Sequence, residues 1–472
     1  MIVYVRERGC KMSSRKRSWA LAGLLGAALI VWGVSSVSRK ASVVLAQQDN
    51  WATPTSQRLG VRLLETRDPS GPPAYPVAAG DLLFFSNAGT SYGAKNAKNS
   101  VVVINAKTKK PIAMSDLDAK YTEKYASHGI GVSPDGRYIY LPSIASIAGP
   151  ERQTPDTVLI LDARTLKIHQ ILAAGGPPHH AKVFRDGAGK QLVLIEHFGW
   201  NTPSSTGKGF YVLDPADNNR VIAGMSAGEL HGNPYSGFTS PDGKYLYYSV
   251  PPPNRGELLR GIDGWLAKID TASWTVVQSL PMKHYPLWTV FSKDGKWAWV
   301  TNSIDDEVLK IQRGSGGRDK DKVVAEVKTG PGPYGMRMSL DDKELWVADK
   351  GENGPKDGLT ITIIDTDKNE VKGTVQTDCI RNDHIIMSPD GGEMWATCNT
   401  SHDIVVLDAQ THALKTRIPM PNGGDSHGGV FVAYTQGPGG IRAEVVSDQN
   451  GLQVSALDAS LKGTSWTIAS SR

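Results

Sequence analysis

Short apolar runs rich in valine, isoleucine, tyrosine and tryptophan, each bounded by turn residues, follow one another through most of the chain, and few stretches carry the spacing of an amphipathic helix. The stretch SHGIGVSPDGRYIY, residues 127–140, is representative: it reads as a strand, a tight turn at Pro-Asp-Gly and a second strand. Its pattern returns as HHAKVFRDGAGKQLVLIE, GFTSPDGKYLYYSV, WTVFSKDGKWAWVTN, GMRMSLDDKELWVAD and HIIMSPDGGEMWATC, at intervals of about fifty residues. Each copy predicts one antiparallel hairpin turning at Asp-Gly or Asp-Asp.

Each hairpin is followed by a third strand ending in an acidic turn, as in TVLILDART, GFYVLDPAD, LAKIDTAS, ITIIDTDKN and IVVLDAQTH, and then by a fourth, as in HQILAAG, VVQSLPM or KTRIPM. Four strands per unit at a fixed period predict an all-β protein, a seven- or eight-bladed β-propeller of four-stranded antiparallel blades, in which each sheet buries its faces against its neighbours. Two less regular units complete the ring: YPVAAGDLLFFSN with SVVVINAKT at the start, and HGGVFVAYTQGPGGIRAEVVSD with LQVSALDAS at the end. Eight units are countable, and seven blades result if the terminal units share one sheet. GVRLLETRD, near residue 60, is a candidate closing strand.

Composition agrees with the pattern, with 50 glycines and 12 tryptophans among 472 residues. The formal charge of +5 owes much to Arg6, Arg8, Lys11, Arg15, Lys16, Arg17, Arg39 and Lys40, all ahead of the repeats, so nucleic-acid binding is not indicated. The same region has the layout of an export signal: RKRSW, an uncharged run from Ser18 to Ser38, and small residues around Ala46. The expected organisation is therefore residues 1–46 as an export signal, with an uncleaved anchor as the alternative, and residues 47–472 as one propeller domain in the periplasm. Cleavage after Ala46 leaves two of the three cysteines, Cys379 and Cys398, which excludes a cysteine-rich copper or iron-sulfur centre. They flank one predicted hairpin and could pair in an oxidising compartment.

Histidine placement changes the picture most. In a propeller the first strand of each blade starts at the mouth of the central channel, and the loop after the second strand opens on the same face. Measured back from the turn aspartate, His128 stands seven residues before Asp135, His179 and His180 seven and six before Asp186, and His384 six before Asp390. His427 holds the corresponding place in the last unit. His231 and His284 lie eleven and ten residues before Asp242 and Asp294, in the loops leading to the strands. His197 lies in a second-to-third-strand loop, as does His402, whereas His169 and His412 fall in outer segments. Imidazole is the commonest transition-metal ligand, and an imidazole-rich, thiolate-free set suits copper, zinc or nickel, copper first in affinity. His128, His179, His180, His197, His231, His284, His384 and His427 are thus candidate metal ligands.

The hairpins resemble the YVTN-type propeller repeat. With His128, His180, His384 and His427 at the strand entrances, and His231 and His284 as weaker matches, the chain resembles thiocyanate dehydrogenase and the propeller domain of nitrous oxide reductase. That resemblance implies an exported copper-dependent oxidoreductase with two or three copper ions, acting on a small inorganic substrate, thiocyanate first, and passing electrons to an external acceptor such as a cytochrome or cupredoxin. The chain departs from the pattern in placing Tyr334 at the ligand position of one unit and in lacking a cysteine-rich electron-accepting domain. Lys95, Glu196, Glu257 and Asp305, in the loops at the mouth, are the candidate catalytic residues, a lysine to attract an anion and a carboxylate to position water. Two other readings compete: a metal-free propeller scaffold in an extracytoplasmic redox complex, and a haem d1-type propeller.

Overall fold

The computed structural model describes residues 50–449, apart from 92–93, 95–96, 123–124, 146–155, 198–207 and 253–262. The expected export segment and LQVSALDAS, residues 452–460, lie outside the described residues. No helix among the described residues is long and apolar enough to cross a membrane.

The strands fall into seven antiparallel sheets. Blade 1 comprises Gly131–Val132, Tyr138–Ala145, Thr157–Asp162 and Ile168–Ala173, with Tyr125–Ser127 added to its second strand. Blade 2 runs Pro178–Arg185, Gln191–His197, Lys208–Asp214, Arg220–Ser226, and blade 3 Ser236–Thr239, Tyr245–Val250, Trp265–Asp270, Thr275–Pro281. Blade 4 is Pro286–Phe291, Trp297–Asn302, Glu307–Gln312, Lys322–Lys328, and blade 5 Pro333–Met338, Glu344–Asp349, Thr360–Asp365, Glu370–Gln376. Blade 6 is Asn382–Met387, Glu393–Cys398, Asp403–Asp408, Leu414–Pro419. Blade 7 joins the two ends of the chain in the order Gly440–Asp448, Gly429–Gly437, Leu82–Ala88, Ser100–Asn105, Lys110–Met114.

The propeller therefore has seven blades, because the terminal units do share a sheet. The closing strand is not the one expected. Arg62–Thr66, within GVRLLETRD, pairs with Ile168–Ala173 on the outer edge of blade 1. Closure is made instead by the hairpin of Gly429–Gly437 and Gly440–Asp448, whose first strand pairs with Leu82–Ala88. Arg62, Glu65 and Thr66 suit a solvated edge, where charge discourages further pairing, and would be costly at the axis. The ring is stitched from within as Ser447 Oγ donates to the Met387 carbonyl at 2.6 Å and Gln449 Nε2 to the Ile130 carbonyl at 3.2 Å.

Burial follows position in the ring. Pro286–Phe291, Pro333–Met338 and Asn382–Met387 are buried along their whole length, whereas the outer strand Thr275–Pro281 alternates exposed and half-buried. Strands pressed between neighbouring blades lose both faces to packing, and only the rim can show period-two alternation. The repeated turn has a local cause. Ser133 Oγ accepts from the backbone of Arg137 and Tyr138, and Gly136 sits at φ +67°, a left-handed conformation that glycine adopts without steric cost.

Cys379 and Cys398 form a buried disulfide with Cα atoms 5.3 Å apart. It ties the approach to the first strand of blade 6 to the end of its second. Because the bond closes a loop of sequence separation 19 in the unfolded chain, replacing both cysteines by alanine is expected to cost about 3 kcal/mol of unfolding free energy, read by denaturant titration.

Candidate metal centre

Four inner strands carry the same irregularity at the mouth of the channel. The ladder to the second strand slips by one residue between Pro178 and Ala181, Pro286 and Thr289, Pro333 and Met336, and Asn382 and Ile385. Each slip is a bulge with one extra residue on the inner strand, and bulges re-aim side chains that strict alternation would send to opposite faces. The bulged pairs are His179–His180, Leu287–Trp288, Tyr334–Gly335 and Asp383–His384. Consecutive residues can thus reach one centre. Gly335 is required by that crowding, since a Cβ there would lie 2.3 Å from the Asp383 carbonyl oxygen and 2.8 Å from the His384 Cα.

Five imidazoles meet at this centre. Ring centroids are 3.6 Å apart for His128 and His427, 3.6 Å for His179 and His180, 5.1 Å for His128 and His179, 5.0 Å for His180 and His384, and 5.6 Å for His384 and His427. His180 Nε2 and His384 Nε2 face one another at 3.1 Å. Three groups, His128/His179/His427, His180/His384/His427 and His179/His180/Glu196, bring one ligand atom from each member within 4.8 Å of the others. All of these side chains are buried except His128, which stays partly accessible. Trp288 lies over His384 at 4.4 Å between centroids, and the Tyr334 ring stacks on the same imidazole at 5.3 Å.

Outer contacts fix ring orientation. The Glu196 carboxylate lies 3.1 Å from His180 Nδ1 and the Tyr235 carbonyl 3.3 Å from His179 Nδ1, so acceptors hold the hydrogen on Nδ1 and leave each Nε2 a lone pair aimed inward. The Asn399 amide contacts His427 Nδ1 at 3.0 Å, with the Asp425 carboxylate 3.5 Å from the same nitrogen. The Tyr334 hydroxyl lies 3.4 Å from His179 Nε2 and 3.0 Å from the Tyr235 hydroxyl. Burial, reinforced by the repulsion each imidazolium would feel from the others, holds His128, His179, His180 and His384 well below the usual histidine range. These four rings are therefore neutral at neutral pH, with lone pairs available to a cation.

Two buried ion pairs flank the rings. Lys182 Nζ is 2.9 Å from Glu196 Oε1 and 2.7 Å from Ser236 Oγ, and it lies 3.4 Å above the Phe238 ring centroid. Burial pushes Lys182 down to about 8 and pushes Glu196 up, the latter against the pull of Lys182 and of the Gly237 N–H that donates to it. Lys350 Nζ is 2.7 Å from Asp383 Oδ1 and 3.1 Å from Glu352, and sits 3.8 Å over the Tyr334 ring. Asp383 Oδ2 lies 3.5 Å from His384 Nε2 and 3.3 Å from His427 Nε2. Burial alone would raise the Asp383 carboxyl, but the Lys350 ammonium paired with it holds it below the ordinary carboxylate range.

Of the residues expected from the sequence, His128, His179, His180, His384, His427 and Glu196 are thus brought together. The others are not. His197 is buried at the end of its strand with Nε2 donating to the Ala174 carbonyl at 2.8 Å. His231 is exposed in a turn at φ +57°. His284 Nδ1 pairs with Asp305 Oδ1 at 2.7 Å, both partly exposed, so this imidazole and this carboxylate engage each other at the rim. Ten or eleven residues before the turn aspartate is too far out: Pro286–Phe291 begins two residues after His284 and Ser236–Thr239 five after His231. Lys95 and Glu257 lie outside the described residues. Sequence reasoning passed over Asp383, Lys182, Lys350 and Trp288, and set Tyr334 aside as the tyrosine common in such repeats.

No known family model matches the sequence, and no curated protein resembles it significantly. The likeness is to solved structures. A periplasmic gluconolactonase of Pseudomonas aeruginosa superposes with a TM-score of 0.55 at 15% identity, over 74% of this chain and 99% of that one. A dihydro-heme d1 dehydrogenase in complex with its ligand gives 0.51 at 19%, over 77% and 79%. Hydrazine synthase of Kuenenia stuttgartiensis gives 0.50 at 17%, over 74% and 99%. At these identities the likeness is one of fold: the chain is a β-propeller, and its chemistry has to be argued from its own side chains.

Proposed function

We propose that this chain is an exported copper-dependent oxidoreductase acting on a small inorganic substrate, thiocyanate being the first candidate, with electrons leaving to a cytochrome or cupredoxin. The single observation that carries the reading is the convergence of five imidazoles, four buried and His128 partly accessible, with ligand atoms within 4.8 Å in overlapping groups of three. That donor set fits a borderline metal: nitrogen ligands, carboxylates at the edge and no free thiolate, since both described cysteines are consumed in the disulfide. Of the two oxygens of buried Asp383, Oδ1 is paired with the Lys350 ammonium at 2.7 Å, while Oδ2 accepts no hydrogen bond, a deficit that a cation would remove. The expectation of export rests on the N-terminal layout of the sequence, and one fold neighbour is named as periplasmic.

His128, His179, His180, His384 and His427 would hold the ions. Copper bound there would supply one-electron redox chemistry and acidify a bound water. Around it, Lys182 and Lys350 set a positive field against Glu196 and Asp383, while the Tyr334 hydroxyl, whose ionisation burial opposes, stays a neutral hydrogen-bond donor beside His179. Partial accessibility of His128 supports an approach of substrate from that side.

The second reading is a haem d1-type propeller, favoured by the fold shared with the dihydro-heme d1 dehydrogenase. Against it, five imidazoles crowd together with centroids as close as 3.6 Å, whereas a macrocycle needs a wide slot with one or two axial ligands. Elemental analysis and visible spectroscopy of protein purified from the periplasm with copper supplied separate the readings. Copper above one ion per chain, with thiocyanate oxidised in the presence of an external acceptor, is expected. Iron with porphyrin bands would support the haem reading, and no metal a scaffold.

A further inference from the structure

The three overlapping groups cannot all be filled at once. A neutral imidazole directs one nitrogen at the centre, yet His179, His180 and His427 each belong to two of the groups. Without reuse, five donors divide into three and two. His128, His179 and His427 form a consecutive set, with centroid distances of 3.6 and 5.1 Å from His128 to its two neighbours. His180 and His384 are left facing each other through Nε2 at 3.1 Å.

That second pair needs another donor. Glu196 sits on the wrong side, on His180 Nδ1, with Lys182, Ser236 and the Gly237 N–H gathered on its oxygens. Asp383 sits on the right one. Two atoms bound to one ion at about 2.0–2.1 Å lie about 3.0–3.5 Å apart; Asp383 Oδ2 is 3.5 Å from His384 Nε2 and 3.3 Å from His427 Nε2, and the two imidazole nitrogens are 3.1 Å apart, so with His427 already counted in the set of three the carboxylate is the donor left for the pair. Its other oxygen is engaged by the Lys350 ammonium at 2.7 Å, which leaves Oδ2 as the donor.

Resting on the metal-centre reading above, we infer that the chain holds two unlike metal sites: one of three imidazoles, His128, His179 and His427, and one of His180, His384 and the Asp383 carboxylate. The carboxylate site carries one anionic ligand and the other none, so the two differ in affinity and in spectrum. Lys350, by holding Oδ1, keeps Asp383 monodentate.

The test uses the purified full chain, loaded with Zn²⁺ for metal counting and with Cu²⁺ for electron paramagnetic resonance. The unmodified protein is expected to hold two ions that a chelator removes in two steps. Asp383→Asn, nearly isosteric, should retain one ion, with the nitrogen hyperfine pattern of three imidazoles. His128→Gln, at the accessible edge, should also retain one, with the complementary spectrum. Either variant keeping both ions at unchanged affinity, or either losing both, overturns the partition. An unmodified chain binding neither Zn²⁺ nor Cu²⁺ would overturn the metal-centre reading itself.

Discussion

Replacing His427 by alanine is expected to remove bound copper more completely than any other single histidine change. Its ring lies 3.6 Å from that of His128 by centroid, and its Nε2 is 3.3 Å from Asp383 Oδ2, so it borders both halves of the imidazole cluster. Loss of a residue that merely supports a metal ligand costs about 10–100-fold in affinity, and loss of this ligand should cost at least as much. His169→Ala and His412→Ala are the controls. His169 stacks on Tyr138 and His412 pairs with Glu344 at 3.0 Å, both in outer parts of the fold, and both variants should keep the full complement of metal. Equal retention in all three proteins would remove the basis for a His-ligated centre.

The second large effect concerns Lys182 and Glu196. Both side chains are almost wholly buried and 2.9 Å apart, yet burial drives the lysine down to about 8 and the carboxylate up, each toward neutrality. Desolvation therefore outweighs their mutual attraction. Glu196→Ala should destabilise the fold by about 3–5 kcal/mol, because it strands an ammonium in the interior and frees His180 Nδ1 from its acceptor. The double change Lys182→Met with Glu196→Gln should recover most of that loss, since neither charge is then left unpaired. Denaturant titration of the three proteins measures it. A double variant as unstable as Glu196→Ala alone would mean that the charges, rather than their pairing, hold the blade together.

The fold was legible because its cause is local and repeated. Serine, aspartate and glycine recur at the hairpin turns, and apolar runs between them could bury two faces only in a stack of sheets. Blade closure was half legible: shared terminal units followed from counting repeats, but the choice between Arg62–Thr66 and the Gly440–Asp448 strand depended on which could tolerate burial at the axis. The imidazole set was legible as a spacing from the turn aspartate. Its limits were physical as well. His231 and His284 lie beyond the strand ends, where the chain is still at the rim.

Asp383 was missed for a different reason. Alternation along a strand assigns neighbours to opposite faces, so a residue beside His384 should point away from it, and only the bulge between Asn382 and Ile385 brings both to the centre. A bulge of this kind leaves no mark in hydrophobic pattern. Lys182 was hidden because a lysine in a strand normally reads as solvated, and its burial depends on Glu196 of the paired strand and Phe238 of the next blade. Comparing the residue pairs at equivalent places, His179–His180, Leu287–Trp288, Tyr334–Gly335 and Asp383–His384, would have shown that both members of each pair belong to the mouth of the channel.

The most direct measurement is anomalous diffraction at the copper edge from crystals of the copper-loaded chain. Peaks enclosed by His128, His179 and His427 and by His180, His384 and Asp383 are the expected result. Copper found only at the rim, or an imidazole cluster without anomalous signal in protein that carries copper elsewhere, would contradict it.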